Sequence, residues 1–388
     1  MDFALSEEHQ AIAEAVGRIC SKYDDEYWAA RDVDGVFPEE FVADMAAQGW
    51  MGIAMPEDVG GSGLGVTEAA VMMKTVAESG GAFQAASSIH VNLFGPMPLA
   101  LFGNEEQRKT LLPRIISGDD RLCFGVTEPN SGLDTSSLET KAEKNGNGYT
   151  ISGRKIWTTT AQTANKILLI ARTTPREQCK KPTDGLSLFY TDMDRNFVDA
   201  QVIPKMGRKS VECNTVFIDG LQVPAGDLVG EEGKGFKYLL HGLNPERILF
   251  GIEAVGIGKA ALKKAAQYAN ERVVFGRPIG QNQGVQHPLA RSWTELEAAE
   301  LMAMKAAWLF DNGKPCGAEA NAAKLLGSEA GYHACERSIL AHGGMGYAKE
   351  YHVERYFREV MISRIAPVSA EMILNFIGQT VLGLPKSY

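Results

Sequence analysis

The 388-residue sequence contains no CxxC pair and no HExxH run. Its six cysteines, Cys20, Cys123, Cys179, Cys213, Cys316 and Cys335, stand apart from one another. That usage suits a reducing compartment and excludes a disulfide scaffold. Seven histidines make no cluster with cysteine, so no metal centre is expected. Basic residues are in the minority: 39 Lys and Arg face 48 Asp and Glu, a formal charge of −9. A nucleic-acid partner needs clustered cations and is not expected, although local basic residues can still hold a small anion. No stretch approaches the roughly twenty apolar residues of a membrane helix, so no membrane span is expected. The opening, MDFALSEEHQAIAEAVGRIC, carries early acids and a helical stripe of Leu5, Ile12, Val16 and Ile19. A leader would instead have a basic start and a continuous apolar run. The expected setting is a bacterial cytoplasm. No GxxxxGK[ST] occurs, and the glycine-rich run MPEDVGGSGLG at 55–65 lacks both the GxGxxG spacing and a preceding strand. It reads as a connecting loop.

The chain is long enough for two or three domains sharing a large core, and its 45% apolar and 22% charged residues are ordinary for a folded protein. Three regions differ in periodicity. Residues 1–120 read as helices broken by Gly- and Pro-rich loops. From 121 to 232, short β-branched and aromatic runs alternate with turns, at 122–127, 149–152, 155–158, 167–171, 186–191 and 215–218, and NGNG at 145–148 signals a hairpin. With no helix-length segments between the runs, a small antiparallel barrel or sandwich follows. From 233 to 388 helical periodicity returns, with long helices near 245–272, 285–310, 318–340 and 369–381 and a shorter one near 350–362, a bundle. The fold class is α+β, helical then β then helical.

The bundle opens on GLNPERILF at 242–250. Asn244 suits an N-cap, Pro245 a first turn, and Glu246 the positive end of the helix dipole. An apolar helical pattern through Ile248, Leu249, Ile252 and Val255 follows, so Glu246 reads as a carboxylate at the mouth of a buried helix.

This order, with several local strings, resembles the acyl-CoA dehydrogenase family over essentially the whole chain. FGVTEPNSGLD at 124–134 is similar to the family's flavin-contacting segment, implying contacts to FAD from Phe124, Val126, Thr127 and Gly132; Leu133 stands where the family usually has a serine near flavin and acyl-CoA. GRKIWTTTA at 153–161 resembles the family's tryptophan-x-threonine segment, with Trp157 as a wall beside the flavin ring and Thr159 near its reactive nitrogen. ERVVFGRPIGQNQ at 271–283 and the run from His342 resemble the stretches that hold pyrophosphate and adenosine, partly across a subunit boundary. The resemblance implies that Arg272, Phe275, Gln283, Gly343 and Gly344 bind cofactor and that the protein is a homotetramer; Leu340 replaces a frequent glutamine. RIAPVSAEM at 364–372 matches the string that carries the catalytic glutamate in most of the family, but Pro367 stands in its place, while Ser369 and Glu371 match flavin contacts. The isovaleryl-CoA and long-chain branches carry their base in a string ending ER, which LNPER at 243–247 matches. Glu246 is then the expected base, with Asn244 and Arg247 toward the CoA substrate. Pro367 also lacks the N–H that helps bind the enolate oxygen; the Val368 N–H, the flavin ribityl hydroxyl acting largely alone, or a one-residue offset are the alternatives. The implied activity is α,β-dehydrogenation of an acyl-CoA, with an electron-transferring flavoprotein as acceptor. The rivals are oxidase or desulfinase chemistry on the same fold, and a catalytically silent flavin- or CoA-binding protein.

Overall fold

A computed structural model describes residues 4–387. The first helices are α1 (Glu7–Cys20), α2 (Asp25–Asp34), α3 (Glu39–Ala47), α4 (Val66–Val76), α5 (Ala82–Phe94), α6 (Met97–Phe102) and α7 (Glu105–Ser117). Local chemistry starts several of them: Ser6, Asp24 and Asn104 accept the orphan N–H groups of α1, α2 and α7.

The strands are β1 (Leu122–Gly125), β2 (Lys141–Asn145), β3 (Gly148–Thr159), β4 (Lys166–Arg172), β5 (Leu186–Asp192), β6 (Val198–Val202), β7 (Cys213–Pro224) and β8 (Leu228–Val229). They pair in the order β6-β7-β3-β2-β4-β5-β8, mostly antiparallel, with β6 and β8 as the ends of the path. The NGNG hairpin joins β2 to β3, with Asn145 opposite Gly148. Two pairings are parallel: β1 runs along β4, and Lys141 of β2 stands beside Arg172 of β4. The connection from β1 to β4 passes through the β2–β3 hairpin rather than a crossover helix, a route that strand spacing alone does not reveal. The runs expected at 149–152 and 155–158 form one strand with two register shifts against β7.

The second helical region holds α8 (Gly235–Glu271), a two-stranded ribbon of β9 (Val273–Val274) and β10 (Arg277–Pro278), then α9 (Gln283–Asp311), α10 (Gly317–His342), α11 (Gly344–Tyr347), α12 (Val353–Ile365) and α13 (Ala370–Phe376). Helices α8 and α10 touch backbone to backbone, since a Cβ at Gly327 would stand 2.3 Å from the Gly251 carbonyl oxygen. The largest core joins α1, α4 and α5 to α8, α9 and α10.

Two expectations need correction. Helix α8 begins at Gly235, so Asn244 is no N-cap, Pro245 lies inside the helix and Glu246 is not at its positive end. Proline in a helix interior costs about 3 kcal/mol. Burial of the preceding turns outweighs it: Tyr238 and Leu239 pack into the core shared with Leu186, Leu188 and Val229, and Tyr238 stacks on Phe102 at 4.3 Å. Second, the run Val353–Val381 does meet the length and hydropathy of a membrane span, with mean hydropathy 1.4. It is not one helix, because α12 ends at Ile365 and α13 starts at Ala370. Within it Arg355 and Glu359, 2% and 1% exposed, face each other at 3.5 Å, which is a core arrangement rather than a lipid-facing one.

Candidate active site

A register shift between Lys155 and Thr158 lifts Trp157 off the β3–β7 ladder. Its backbone takes the left-handed φ of +59°, and its indole is 54% exposed. Bulges re-aim side chains, and backbone strain in a large residue persists at sites of function. Thr159 lies two residues on, its hydroxyl 3.7 Å from the Cys213 sulfur. Next to this surface runs the segment after β1, tied to β3 by the Ile156 N–H donating to the Thr127 carbonyl at 2.9 Å. Beneath it the ammonium of Lys155 donates to the Val126 carbonyl at 3.0 Å and to Glu128 at 2.8 Å. The segment carrying Phe124, Val126 and Thr127 therefore adjoins the stretch carrying Trp157 and Thr159, a candidate wall; Leu133, farther along that segment, is 61% exposed.

The wall meets the helices through aromatic contacts. Phe124 lies edge-on to Phe94 of α5 at 5.5 Å, and Phe94 lies 4.9 Å from His90. His90 in turn meets Glu253 of α8, Nδ1 to Oε1, at 2.6 Å. Burial opposes the imidazolium, yet the Glu253 and Glu246 carboxylates outweigh it and raise the His90 pKa. Glu246 makes no hydrogen bond or ion pair among the described residues. Burial pushes its pKa up to about 7, against the pull of His90 and Arg247. Away from the helix end, no N-terminal dipole lowers that value. Arg247 donates to Asn244 Oδ1 at 3.3 Å, and Asn244 reaches the Cys316 sulfur at 3.6 Å. On α10, the buried Lys324 donates to the Val368 carbonyl at 2.6 Å, fixing the loop that carries Pro367. Ser369 caps α13. Glu371 is exposed, and its own backbone N–H and Ser369 hold its pKa below the usual carboxylate value.

The remaining expected site residues gather elsewhere. From Glu246 to Arg272 helix α8 advances about 39 Å. At that far end lie Arg272, the fully exposed Phe275 at φ +53° and Gln283 at the start of α9. Gly343 and Gly344 follow His342, which stacks on Tyr268 at 4.4 Å. A Cβ on Gly132 or Gly344 would meet nothing among the described residues within 4 Å, whereas Gly343 takes φ +61°, a conformation that favours glycine. The wall suits a flat ring and Arg272 suits an anionic group, but the described residues of one chain do not bring the two together. Sequence reading missed His90, Glu253, Arg208 and the Lys155–Glu128 pair. Only Glu253 left a signal, since seven residues after Glu246 it falls on the same helix face.

A helical–β–helical frame with a left-handed, exposed tryptophan on its sheet and a half-buried carboxylate on its longest helix suits a flavin-dependent oxidoreductase. The sequence models of the acyl-CoA dehydrogenase N-terminal, middle and C-terminal domains match residues 6–119, 123–221 and 233–382. The chain belongs to the acyl-CoA dehydrogenase family, whose enzymes use FAD. It is 35% identical over 395 residues to acyl-CoA dehydrogenase FadE12 of Mycobacterium tuberculosis, covering 100% of this chain and 99% of that one. Butyryl-CoA dehydrogenase of Megasphaera elsdenii superposes with a TM-score of 0.93 at 29% identity, covering 98% and 100%. The FAD complex of PigA superposes with the same score at 26% identity, covering 99% and 100%.

Trp157→Gly separates the wall from the fold. Relief of strain worth about 1–3 kcal/mol offsets glycine's entropy cost of about 0.5–1 kcal/mol. The apoprotein is expected to melt at an unchanged or slightly higher temperature, while loss of ring stacking weakens FAD binding about tenfold. Calorimetry and flavin fluorescence titration measure the two; a destabilised apoprotein with full FAD affinity contradicts the assignment.

Proposed function

We propose that this chain dehydrogenates an acyl-CoA thioester to the trans-2-enoyl-CoA, with Glu246 as the base that removes the α-proton. The observation that carries this reading is a half-buried carboxylate that no hydrogen bond or ion pair among the described residues ties down, with a pKa raised to about 7 by burial, connected to the β layer through His90, Phe94 and Phe124. Such a group is poised to take a proton near neutral pH. FAD, when bound, supplies the N5 acceptor for the β-hydride. Pro367 brings neither an acid nor an N–H to its loop. The Val368 N–H, which bonds no other described group, is the donor left there to polarise the thioester carbonyl, and Lys324 anchors the following peptide through the Val368 carbonyl. Arg247 and Asn244 face the CoA portion. The wall and the far-end cluster serve one cofactor if a second copy brings its Arg272, Phe275 and Gln283 to the first copy's wall, as in a homotetramer. An electron-transferring flavoprotein is the acceptor that completes the cycle.

The pH profile tests the base. Only ionised Glu246 accepts the proton, so the second-order rate of flavin bleaching by acyl-CoA should fall about tenfold per pH unit below pH 7 and level off above it. Anaerobic rapid mixing measures this rate. A profile flat through pH 7 sinks the assignment.

A further inference from the structure

On α5, Phe83, Ser87, His90 and Phe94 share one face. Helix α8 answers with Gly242, Glu246, Phe250 and Glu253. The Phe83 and Phe250 rings stand 5.0 Å apart and those of His90 and Phe250 5.7 Å. A Cβ on Gly242 would lie 3.5 Å from the Phe94 carbonyl oxygen. The seam between the two helices beside Glu246 therefore packs aromatic rings together with the charged His90 and Glu253.

A third side comes from the loop between β6 and β7. Arg208 lies there, 9% exposed, with φ at +53°. Its guanidinium donates to the Ser87 hydroxyl at 2.9 Å and to the Cys213 sulfur at 3.7 Å. It forms no ion pair with any carboxylate among the described residues. The acids nearby are engaged elsewhere. Glu253 is paired with His90; Glu212 accepts from the Gln162 backbone; Glu359 accepts from the Gln84 backbone and faces Arg355. Lys205 adds another cation, its ammonium donating to the Arg208 carbonyl. Once Glu246 holds the substrate proton, Arg208 and Lys205 are both cations without an ion-pair partner among the described residues. Buried charges persist when paired, and a sulfur atom is a weak acceptor that a better one displaces.

We infer that Arg208, with the Ser87 hydroxyl beside it, binds a carboxylate at the far end of the acyl group, so that the substrates are ω-carboxyacyl-CoA thioesters. The planar guanidinium suits a carboxylate's two oxygens, and the Ser87 hydroxyl beside it has a proton to donate to the same group. This inference rests on the acyl-CoA reading above and names the acyl class within it.

The experiment compares anaerobic flavin bleaching of the FAD-loaded enzyme by glutaryl-, adipyl- and suberyl-CoA with pentanoyl-, hexanoyl- and octanoyl-CoA. The best ω-carboxyacyl substrate should exceed the straight-chain partner of its own length by about a hundredfold in second-order rate, the scale of a buried charge pair made or broken. In Arg208→Met that ratio should collapse to about one, and in the milder Ser87→Ala it should fall part of the way. Straight chains matching or beating their ω-carboxy partners at every length would overturn the inference while leaving the dehydrogenase reading intact. So would an unchanged ratio in Arg208→Met. If no acyl-CoA of either kind bleaches the flavin, the dehydrogenase reading fails and this inference fails with it.

Discussion

Glu246→Gln is expected to yield a yellow, FAD-loaded protein whose flavin is no longer bleached by substrate. The glutamine keeps the size of the side chain and its seat on α8, and removes only the capacity to take a proton. General-base catalysis contributes about 10²–10⁴-fold. With no carboxylate at position 367 to substitute, the rate should fall toward the upper part of that range. Exposed Glu371 offers no rescue, because its lowered pKa makes it a weak base. The CoA thioester should still bind, since Arg247 and the Val368 N–H are untouched. The change thus lands on the reduction rate and not on the substrate concentration that half-saturates it. A single-turnover experiment under argon separates the two; bleaching at the parental rate refutes Glu246 as the base and reopens the oxidase, desulfinase and silent-binder alternatives.

How far the site was legible in the sequence depends on how local its causes are. Resemblance and the proline at 367 single out Glu246 as the candidate base, yet its local setting is neither a cap at Asn244 nor a first-turn proline. The helix starts nine residues before Asn244 because Tyr238 and Leu239 are buried against Phe102, Leu186 and Leu188, fifty or more residues away in sequence, as well as nearby Val229, information that no capping rule contains. Strand β4 was legible because nearly every side chain in it is buried and so reads as an apolar run. Strand β2, with one buried residue in five, left no apolar pattern, and only the NGNG turn pointed to it. The outward aim of Trp157 comes from a register shift, which depends on β7 as much as on β3. Nothing in the local sequence marks Arg208, which acquires meaning only from Ser87, 121 residues earlier. Buried polar pairs are the hardest class to anticipate, because their partners are fixed by packing and not by spacing.

The same non-local logic gives the largest stability effect, at Lys155. Its side chain is 0% exposed and that of Glu128 is 6% exposed. Burial pulls the lysine pKa down to about 8 in spite of its partner. Burial would raise that of Glu128, but Lys155, Thr140 and the Glu139 N–H outweigh it and hold the carboxylate below its usual range. Both directions leave the pair charged at neutral pH. Lys155→Met fills the same space but strands the Glu128 charge in the interior with only the backbone N–H groups of Glu139 and Thr140 for company. Breaking a buried pair from one side costs about 3–5 kcal/mol. The Val126 carbonyl also loses its donor, which loosens the segment that meets the flavin edge. The urea midpoint of the loaded enzyme should therefore drop at constant slope, and the purified protein should retain less FAD. Glu128→Gln in the Lys155→Met background removes the stranded charge while keeping an acceptor for a backbone N–H. It should recover most of the loss, and the shortfall from additivity measures the pair itself. If the double variant is as unstable as the sum of the two single ones, the lysine acts through packing alone and the charge pair under the flavin wall contributes nothing to the fold.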